Sequence, residues 1–412
     1  MEHPVTVLGA GIVGICTALA LAERGHAVRV IDRNAPGQET SYGNAGIISP
    51  WSVVPQALPG TWRQVPKLMF GRHRPLSVHY SVWPRMLAWG LRFFRCGTED
   101  RVRRTSDAMS LLCAPSADMY RRYLVDAGAD DLLKPAMYVH AFRDGSRATL
   151  DSIGYAMRRE KGAEMELVGA DALRRIEPTL SNEFQAAILI KGQARAMSPG
   201  RICQVLAGHA ATLGVTFETA AIQSLERRNS RWAVICDEGE YLADTVVIAL
   251  GVWSRDLLAK LGVAVPLMAE RGYHVEYPAP RVTAQNSVMD TDAKVVASSM
   301  EGGLRVSGHA EFAPIDAPPD RRKTDMLRRV AGAMFPGLDI TGEKAWMGRR
   351  PSFPDSLPAI GPVEGHDGLI ANFGHSHYGL MMAPKSGQIV AAHVSGSPQN
   401  ADLSPFSLKR FR

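Results

Sequence analysis

A glycine-rich turn near the start of the chain restricts its fold more than any other feature. Gly9, Gly11 and Gly14 stand between a short apolar run, Val5–Leu8, and an apolar stretch over residues 15–24. We predict a buried strand, a tight turn and a helix, because the glycines permit the turn, a close approach to the backbone and helix packing on the strand. The N-terminus of that helix would direct free N–H groups at an anion. The pattern therefore indicates a Rossmann-like dinucleotide site.

A second predicted strand, over residues 27–31, extends this site. It leads into Asp32 and Arg33, at the distance along the chain where an acid binds the ribose of a dinucleotide. A carboxylate suits the adenosine ribose of FAD and of NAD equally well. It argues against NADP, because it would repel the 2′-phosphate. The residue types alone leave FAD and NAD both open.

Composition describes an ordinary folded protein long enough for two domains. The chain has 412 residues, of which 46% are hydrophobic and 21% charged. A net charge of +6 without a basic tract argues against nucleic-acid binding, while it suits an anionic substrate or a membrane surface. The five scattered cysteines form no CxxC pair, so we expect free thiols, a reducing cytoplasmic location and no metal site.

The pattern of strands and helices divides the chain into two discontinuous domains. Residues 245–250 form an apolar strand that ends at Gly251, and we place it as a further parallel strand beside the nucleotide. The fold class is α/β, or α+β overall, in which a mixed-sheet substrate domain with a helical insertion interrupts a Rossmann-like cofactor domain. The predicted cofactor domain comprises residues 1–50, 195–262 and 344–412, and the substrate domain comprises residues 51–194 and 263–343.

Residues 81–95 mix aromatic and arginine side chains at helical spacing. Such a segment is typical of a half-buried packing helix and, less often, of a helix that attaches to a membrane surface. No apolar run reaches the length of a membrane span, and the first predicted strand leaves no room for a signal peptide. Peripheral association with the inner face of the cell membrane is therefore an alternative to a purely cytoplasmic protein.

The last part of the chain carries a longer motif. It includes Gly348, Arg350-Pro351 and the Pro-Ala-Ile-Gly sequence that ends at Gly361, and it continues as Gly374-His375. This resembles the C-terminal signature of the D-amino acid oxidase-like FAD-dependent oxidoreductases, G-x-R-P-x-x-P-D-x-x-P-x-I-G followed by G-H-x-x-x-G. Residues 39–46 are similar to the E-T-S-x-x-N-A-G segment of the bacterial D-amino acid dehydrogenases. The matches run in register over nearly the whole chain.

The resemblance implies FAD as the cofactor and indicates which residues would hold it. Ser41 and its neighbours would line the pyrophosphate and the isoalloxazine, and Ile222 would pack on the adenine. The N–H groups of Gly379 and Leu380, at a helix start, would stabilise charge on the flavin N1 edge. His375 would hydrogen-bond the cofactor or merely hold its turn. The predicted cofactor residues are Gly9, Gly11, Ile12, Val13, Gly14, Asp32, Arg33, Ser41, Asn44, Ala45, Gly46, Ile222, Gly251, Gly374, His375, Gly379 and Leu380.

The family resemblance also implies a substrate-binding arginine immediately before the proline, which is Arg350. A planar guanidinium binds a carboxylate through two hydrogen bonds and so fixes which face of Cα meets the flavin. A structural ion pair is the alternative role for this residue. Tyr273 and His274 occupy the family position above the substrate, where substrate contact and packing both stay open. The motifs predict no catalytic acid–base pair.

The implied activity is that of an FAD-dependent D-amino acid dehydrogenase. A hydride passes from the substrate Cα to flavin N5, the imine hydrolyses to a 2-oxo acid, and the electrons leave to a quinone or another carrier. One alternative is a D-proline or hydroxy-D-proline dehydrogenase that forms a cyclic imine, with His274, His377 and Tyr378 near a ring hydroxyl. Others are an amine or N-methyl amino acid oxidase that uses oxygen, and a non-catalytic flavoprotein subunit.

Overall fold

Two large β-sheets organise residues 4–412, the part of the chain that a computed structural model describes. In chain order the strands are β1 (Val5–Leu8), β2 (Val28–Asp32), β3 (Ile47–Ile48), β4 (Leu76–Val78), β5 (Leu133–Phe142), β6 (Met165–Gly169), β7 (Ala186–Ala196), β8 (Thr216–Thr219), β9 (Ile222–Arg228), β10 (Arg231–Cys236), β11 (Gly239–Ala243), β12 (Val246–Ile248), β13 (Met268–Tyr277), β14 (Ser287–Asp290), β15 (Val295–Met300), β16 (Gly303–Phe312), β17 (Lys344–Ser352), β18 (Ala359–Pro362) and β19 (Leu369–Phe373). The α-helices are α1 (Ile12–Ala22), α2 (Thr61–Phe70), α3 (Trp83–Cys96), α4 (Glu99–Cys113), α5 (Ser116–Asp126), α6 (Ile153–Glu160), α7 (Ala170–Ile176), α8 (Pro199–Thr212), α9 (Ser254–Lys260), α10 (Arg321–Met334) and α11 (Gly379–Val394).

The first sheet is the predicted Rossmann-like sheet. Its six strands follow the order β18-β19-β12-β1-β2-β8, and all its pairs are parallel except β18 with β19. Strand β1 is buried along its whole length, as apolar strands of parallel sheets usually are. Helices α1 and α11 approach so closely that a Cβ at Gly387 would lie 2.7 Å from the Cys16 carbonyl oxygen. The α/β prediction is confirmed.

Helix α1 begins at Ile12, earlier than the predicted residue 15, and ends at Ala22. Gly11 is extended, with φ −74° and ψ 172°, and the chain turns from it directly into the helix. The glycine turn and the first helical turn are therefore contiguous. This places the N–H groups of Ile12 and Val13 at the open end of the helix, where the sheet and the glycine turn meet.

The second sheet has ten strands and is mixed. The path β17-β13-β16-β15-β14-β5-β7-β3 accounts for most of it, with β4 paired to β16 and β6 paired to β7. Strand β17 pairs with β13 from Lys344 to Ser352, so it belongs to this sheet and not to the cofactor domain that the predicted boundary at residue 344 assigns it to. Its register sets Arg350 opposite Glu270. The chain returns to the first sheet only at β18.

The sequence Tyr273 to Tyr277 alternates as a half-exposed strand would, but the structure covers both faces of β13. Tyr273, Val275 and Tyr277 belong to a buried cluster with residues of α10. His274, on the opposite face, is also buried. Helix α10 covers the face that the alternation predicts to be buried. The cover over His274 comes from Trp346 and the Gly43 backbone, which the local pattern does not reveal because they belong to distant segments.

Helices α2 to α5 occupy the segment between residues 51 and 130. Helices α4 and α5 pack in the core with α11, whereas α2 has no buried residue and α3 buries only Trp89. Helix α3 comprises most of residues 81–95. Because only one of its side chains is buried, it is more exposed than the half-buried packing helix that its sequence predicts. A three-stranded sheet of β9, β10 and β11 lies apart from both large sheets.

Candidate active site

A cavity of about 1130 Å³ is lined by residues of both large sheets. The glycine turn, the end of β2 and the start of α9 form one part of its wall, and residues of β13, β16 and β17 form another. Pockets for single small ligands usually measure roughly 300–1,000 Å³. The cavity is therefore large enough for an elongated cofactor together with a small substrate.

Neighbouring backbone atoms leave no room for a side chain at the first and third glycines of the turn. Gly9 has a φ of +108°, and a Cβ on it would lie 2.5 Å from the Ala249 carbonyl oxygen. A Cβ on Gly14 would overlap the Gly9 carbonyl oxygen. Any side chain at Gly14 would push α1 away from the turn, so this glycine sets the distance between helix and strand. Gly14 itself does not line the cavity.

Hydrogen bonds fix the acid and the serine that flank the turn. The Ala10 N–H donates to Asp32 Oδ2 at 2.7 Å, and the Ile12 N–H donates to Ser41 Oγ at 3.0 Å. Burial raises the pKa of Asp32, although the hydrogen bonds from the backbone of Ala10 and Asn34 act in the opposite direction. The carboxylate is thus held against the turn, beside the cavity, where a ribose would lie.

Most of the predicted cofactor residues meet at this cavity. Gly46 does not, because its φ of +76° serves a turn in which its carbonyl accepts from the Ala196 N–H at 2.7 Å. Ile222 reaches the wall from the start of β9, outside the six-stranded sheet. The predicted cofactor residues that line the cavity are Gly9, Gly11, Ile12, Val13, Asp32, Arg33, Ser41, Asn44, Ala45, Ile222, Gly251, Gly374, His375, Gly379 and Leu380.

The G-H-x-x-x-G segment forms the turn into α11. Gly374 has a φ of +83°, and a Cβ there would overlap the ring of Phe353. His375 Nε2 hydrogen-bonds Ser386 Oγ at 3.1 Å, and burial lowers the pKa of His375 to about 3, so the imidazole is neutral. This bond holds the turn while leaving part of the ring on the cavity wall. Helix α11 then directs its N-terminus, at Gly379, toward the cavity.

These features fit FAD. Two helix N-termini face the cavity, and glycines without room for a Cβ bring the backbone close to it. Asp32, at the end of β2, is placed to bind a ribose. The N-terminus of α11, which follows β19 along the chain, is placed to face the electron-rich part of the flavin. The residues that would hold the cofactor therefore come from β1, α1, β2, the segment from Ser41 to Ala45, and α11.

Arg350 lies on the cavity wall with its guanidinium above the backbone of Gly272. A Cβ on Gly272 would overlap that guanidinium, so glycine makes the space that it occupies. Nη1 donates to the His309 carbonyl oxygen at 2.8 Å and pairs with Glu270 Oε1 at 3.3 Å. Within residues 4–412, Nη2 has no hydrogen-bond partner. The neighbouring Arg349 does not line the cavity and donates to the Ile315 carbonyl oxygen.

Glu270 joins Arg350 to a histidine. Its buried carboxylate also accepts from Ser352 Oγ at 2.9 Å and pairs with His377 Nε2. Burial alone would raise the pKa of Glu270, but His377, Arg350 and the Ser352 hydroxyl outweigh it and hold that pKa at about 2. The motifs predict no acid–base pair, yet the structure brings Glu270 and His377 together. Their separation along the chain hides the pairing, and because β13 holds two Glu, one Arg and one His, its sequence does not single out Glu270.

Tyr273 and His274 have different surroundings. Tyr273 lines the cavity, but its hydroxyl donates to Glu311 Oε2 at 2.5 Å and accepts from the Asp320 N–H. His274 lies outside the cavity wall, where its Nδ1 is 3.2 Å from the Gly43 carbonyl oxygen and its ring stacks on Trp346. Burial lowers the pKa of His274 to about 3. The geometry of His274 therefore matches packing and not substrate contact.

The described part of the chain holds neither a cluster of metal ligands nor a membrane-spanning helix. Between residues 4 and 412, no group of three or more His, Cys, Asp or Glu side chains is placed to hold a metal ion. No α-helix in that range is both long enough and apolar enough to cross a bilayer. All five cysteines are free thiols, and all but Cys96 are buried.

Comparison with known proteins supports the same cofactor. The family model described as FAD dependent oxidoreductase (DAO) matches residues 4–393. A protein named D-amino-acid oxidase from Bradyrhizobium diazoefficiens is 35% identical over 99% of this chain and 98% of its own length. A second protein from that organism, named D-amino acid dehydrogenase, is 31% identical with the same coverage.

A solved structure supports the fold. The L-proline dehydrogenase from P. horikoshii superposes with a TM-score of 0.77 at 19% sequence identity, covering 100% of this chain and 98% of its own. At that identity the likeness concerns the arrangement of the two sheets and the helices.

Proposed function

The chain belongs to the DAO family of FAD-dependent oxidoreductases and acts on amino acids, and we propose that it is a dehydrogenase that converts D-amino acids to 2-oxo acids. One observation carries the proposal: the Arg350 guanidinium stands on the cavity wall with Nη2 free, supported by Glu270 and the His309 carbonyl. When bound, FAD accepts the hydride from the substrate Cα. Arg350 would hold the substrate carboxylate during that transfer.

The groups around Arg350 suit a zwitterion. Glu270 stays ionised over the physiological pH range and pairs with both Arg350 and His377. A carboxylate bound at Nη2 would place the α-amino group of the same substrate near the Glu270–His377 pair. The Glu270 carboxylate can accept a hydrogen bond from that amino group, but with a pKa of about 2 it is too weak a base to take a proton from it, so the substrate would react as the neutral amine after losing its ammonium proton to water. Carboxylate and amine are then both fixed, so one hydrogen of Cα faces the flavin.

The electron acceptor that we propose is a quinone or a carrier at a membrane. Residues 51–98 contain no Asp or Glu but several Arg and Lys. Helices α2 and α3, within this segment, expose large apolar side chains and also line the cavity. A basic surface with exposed apolar residues suits an anionic bilayer, where Arg and Lys meet the headgroups. The exposed apolar residues of this surface are Trp62, Phe70, Tyr80, Trp83, Leu87, Leu91 and Phe94.

An oxygen-using oxidase is the second candidate, because one relative is named D-amino-acid oxidase. The two are separated by the peroxide formed in air for each 2-oxo acid released. A dehydrogenase forms little peroxide and speeds up strongly when a soluble quinone is added. Peroxide equal to the 2-oxo acid, with no effect of the quinone, would make the protein an oxidase.

Arg350→Lys tests the proposed carboxylate site, with Arg349→Lys as its matched control. Lysine keeps the charge but loses the planar pair of donors, so we expect kcat/KM for a D-amino acid to fall by ~100-fold, mostly through KM. Arg349→Lys should stay within roughly threefold of the wild type. The steady-state rate of 2-oxo acid release gives kcat/KM for the two variants and the wild type. Equal losses in the two variants, or none in Arg350→Lys, would remove Arg350 from the substrate site.

A further inference from the structure

A second guanidinium, that of Arg158 on α6, also lines the cavity. Its Nη1 donates to the Gly154 carbonyl oxygen at 3.1 Å, and its Cζ lies 5.7 Å from the centre of the Tyr155 ring. Within residues 4–412, no ion pair and no other hydrogen bond joins it to the protein. A guanidinium has five N–H donors, so most of its donors are left for a ligand.

The groups that surround Arg158 are neutral. The titratable side chains that act on it are Tyr138, Tyr155 and Tyr378, and none of the carboxylates in the described chain does so. Burial raises the pKa of Tyr155 to about 12, and it lowers the pKa of the nearby His140 well below its ordinary value. The positive charge of Arg158 therefore has no counter-charge in the protein.

The acids on the cavity wall lie elsewhere or are already paired. Asp32 and Glu39 stand near the glycine turn, and Asp256 stands on α9. Glu270 is on the side of the ten-stranded sheet, but it already pairs with Arg350 and His377. A charge removed from water without a partner is costly, which favours an anionic ligand at this position.

Arg158 and Arg350 stand along one continuous part of the wall. A Cβ on Gly154 would lie 3.6 Å from both Arg158 Nη1 and a methyl group of Val54. The Val54 carbonyl accepts from the Tyr378 hydroxyl at 2.9 Å, and the preceding residue, His377, bonds the Glu270 that supports Arg350. A chain of contacts through Val54, Tyr378, His377 and Glu270 thus links the surroundings of the two guanidinium groups.

We infer that Arg158 binds a second carboxylate, carried by the side chain of the substrate, so that the enzyme prefers acidic D-amino acids of the aspartate and glutamate type. The inference rests on the proposed function and narrows its substrate class. With the α-carboxylate on Arg350, the side chain of such a substrate would extend along the wall toward Arg158. Two anions would then meet two guanidinium groups, one of which the protein leaves without a counter-charge.

The test compares each acid with its amide of nearly the same shape, using the FAD-loaded enzyme. Anaerobic flavin reduction by D-glutamate and D-glutamine, and by D-aspartate and D-asparagine, gives an acid-to-amide ratio of second-order rate constants. We expect at least one of these ratios to exceed ~10 in the wild type and to approach one in Arg158→Met. Arg158→Lys should keep an intermediate ratio. Arg159→Met, an exposed neighbour on the same helix, should keep the wild-type ratio.

A second measurement does not depend on the folding of a variant. Glutarate should displace substrate from the wild-type enzyme at concentrations ~10-fold below those of butyrate, because only glutarate has a second carboxylate for Arg158. Wild-type ratios near one with equal inhibition by the two acids would overturn the inference, and so would a ratio that survives in Arg158→Met. If no D-amino acid reduces the flavin at all, the proposed function fails instead.

Discussion

Glu270 is a single buried carboxylate that pairs with both Arg350 and His377. Its pKa is held at about 2, below the ordinary value of 4.5, so its contribution to stability is present above about pH 4.5 and is lost as the pH falls through 2. We predict that Glu270→Gln lowers the free energy of unfolding at pH 7 by about 3 kcal/mol, because Arg350 loses its counter-charge. Urea unfolding of the wild type and the variant measures this difference.

The sign of the pH effect makes the prediction specific. The difference between wild type and Glu270→Gln should shrink as the pH is lowered from 4.5 toward 2, where the wild-type carboxylate also becomes protonated. Glu164→Gln is the control, since Glu164 pairs with Lys191 at the exposed surface, where water screens the interaction and leaves it little effect on stability. A difference for Glu270→Gln that stays constant down to pH 3 would show that the loss is one of packing and not of charge.

The sequence identifies some residues of the candidate site and not others. Arg350 belongs to a motif and could be located from its neighbours, and the structure places it on the cavity wall. Glu270 and Arg158 belong to no motif, and what defines them is a spatial relation. Strand register sets Glu270 opposite Arg350. Arg158 stands out as a candidate ligand-binding residue because no acidic side chain faces it. Neither relation can be read from residues close in sequence.

The turn between β1 and α1 shows at the level of elements why glycine is required. We predict that Gly14→Ala weakens FAD binding by ~10-fold or more, because its Cβ would overlap the Gly9 carbonyl and displace the helix start. The ratio of flavin to protein absorbance after purification and dilution measures this loss. Gly208→Ala in α8 is the matched control, since its Cβ meets nothing within 4 Å. Equal flavin content in the two variants would contradict the proposed role of the turn.

Helix α3 offers a test of the proposed membrane surface. We predict that the wild type sediments with vesicles containing phosphatidylglycerol and that salt weakens this binding, because Arg and Lys contribute to it. Leu87→Glu combined with Leu91→Glu, which puts two acids on the exposed face, should abolish it. Val125→Glu, an equally exposed position on α5, should not. Wild-type protein that remains in the supernatant at low salt would refute the surface.

Elements with a strong local pattern were the easiest to predict. The predicted bounds of β1 match to the residue and those of β12 within two residues, because apolar residues and glycine mark them. The predicted boundary at residue 344 puts the segment of β17 in the cofactor domain, because its place in the ten-stranded sheet depends on pairing with β13 and not on its own sequence. The cover on both faces of β13 was missed for the same reason.

On the scale of the whole molecule, function depends on two sheets that meet at one cavity. The six-stranded sheet supplies the glycine turn and Asp32, and the ten-stranded sheet supplies Glu270 and Arg350. The chain crosses between these sheets several times, so neither side of the cavity is formed by one continuous segment. This arrangement lets a cofactor lie on one side and a small zwitterion on the other, with the flavin edge between them.

The most direct test of this account is anaerobic flavin reduction by the two enantiomers of one amino acid. Purified protein mixed without oxygen with a D-amino acid should lose its visible flavin absorbance, and the L-enantiomer at the same concentration should leave the spectrum unchanged. The result follows from a carboxylate and an amine that are both fixed, which allows one hydrogen of Cα to face the flavin. Reduction by the L-enantiomer alone, or a purified protein that holds no flavin, would contradict it.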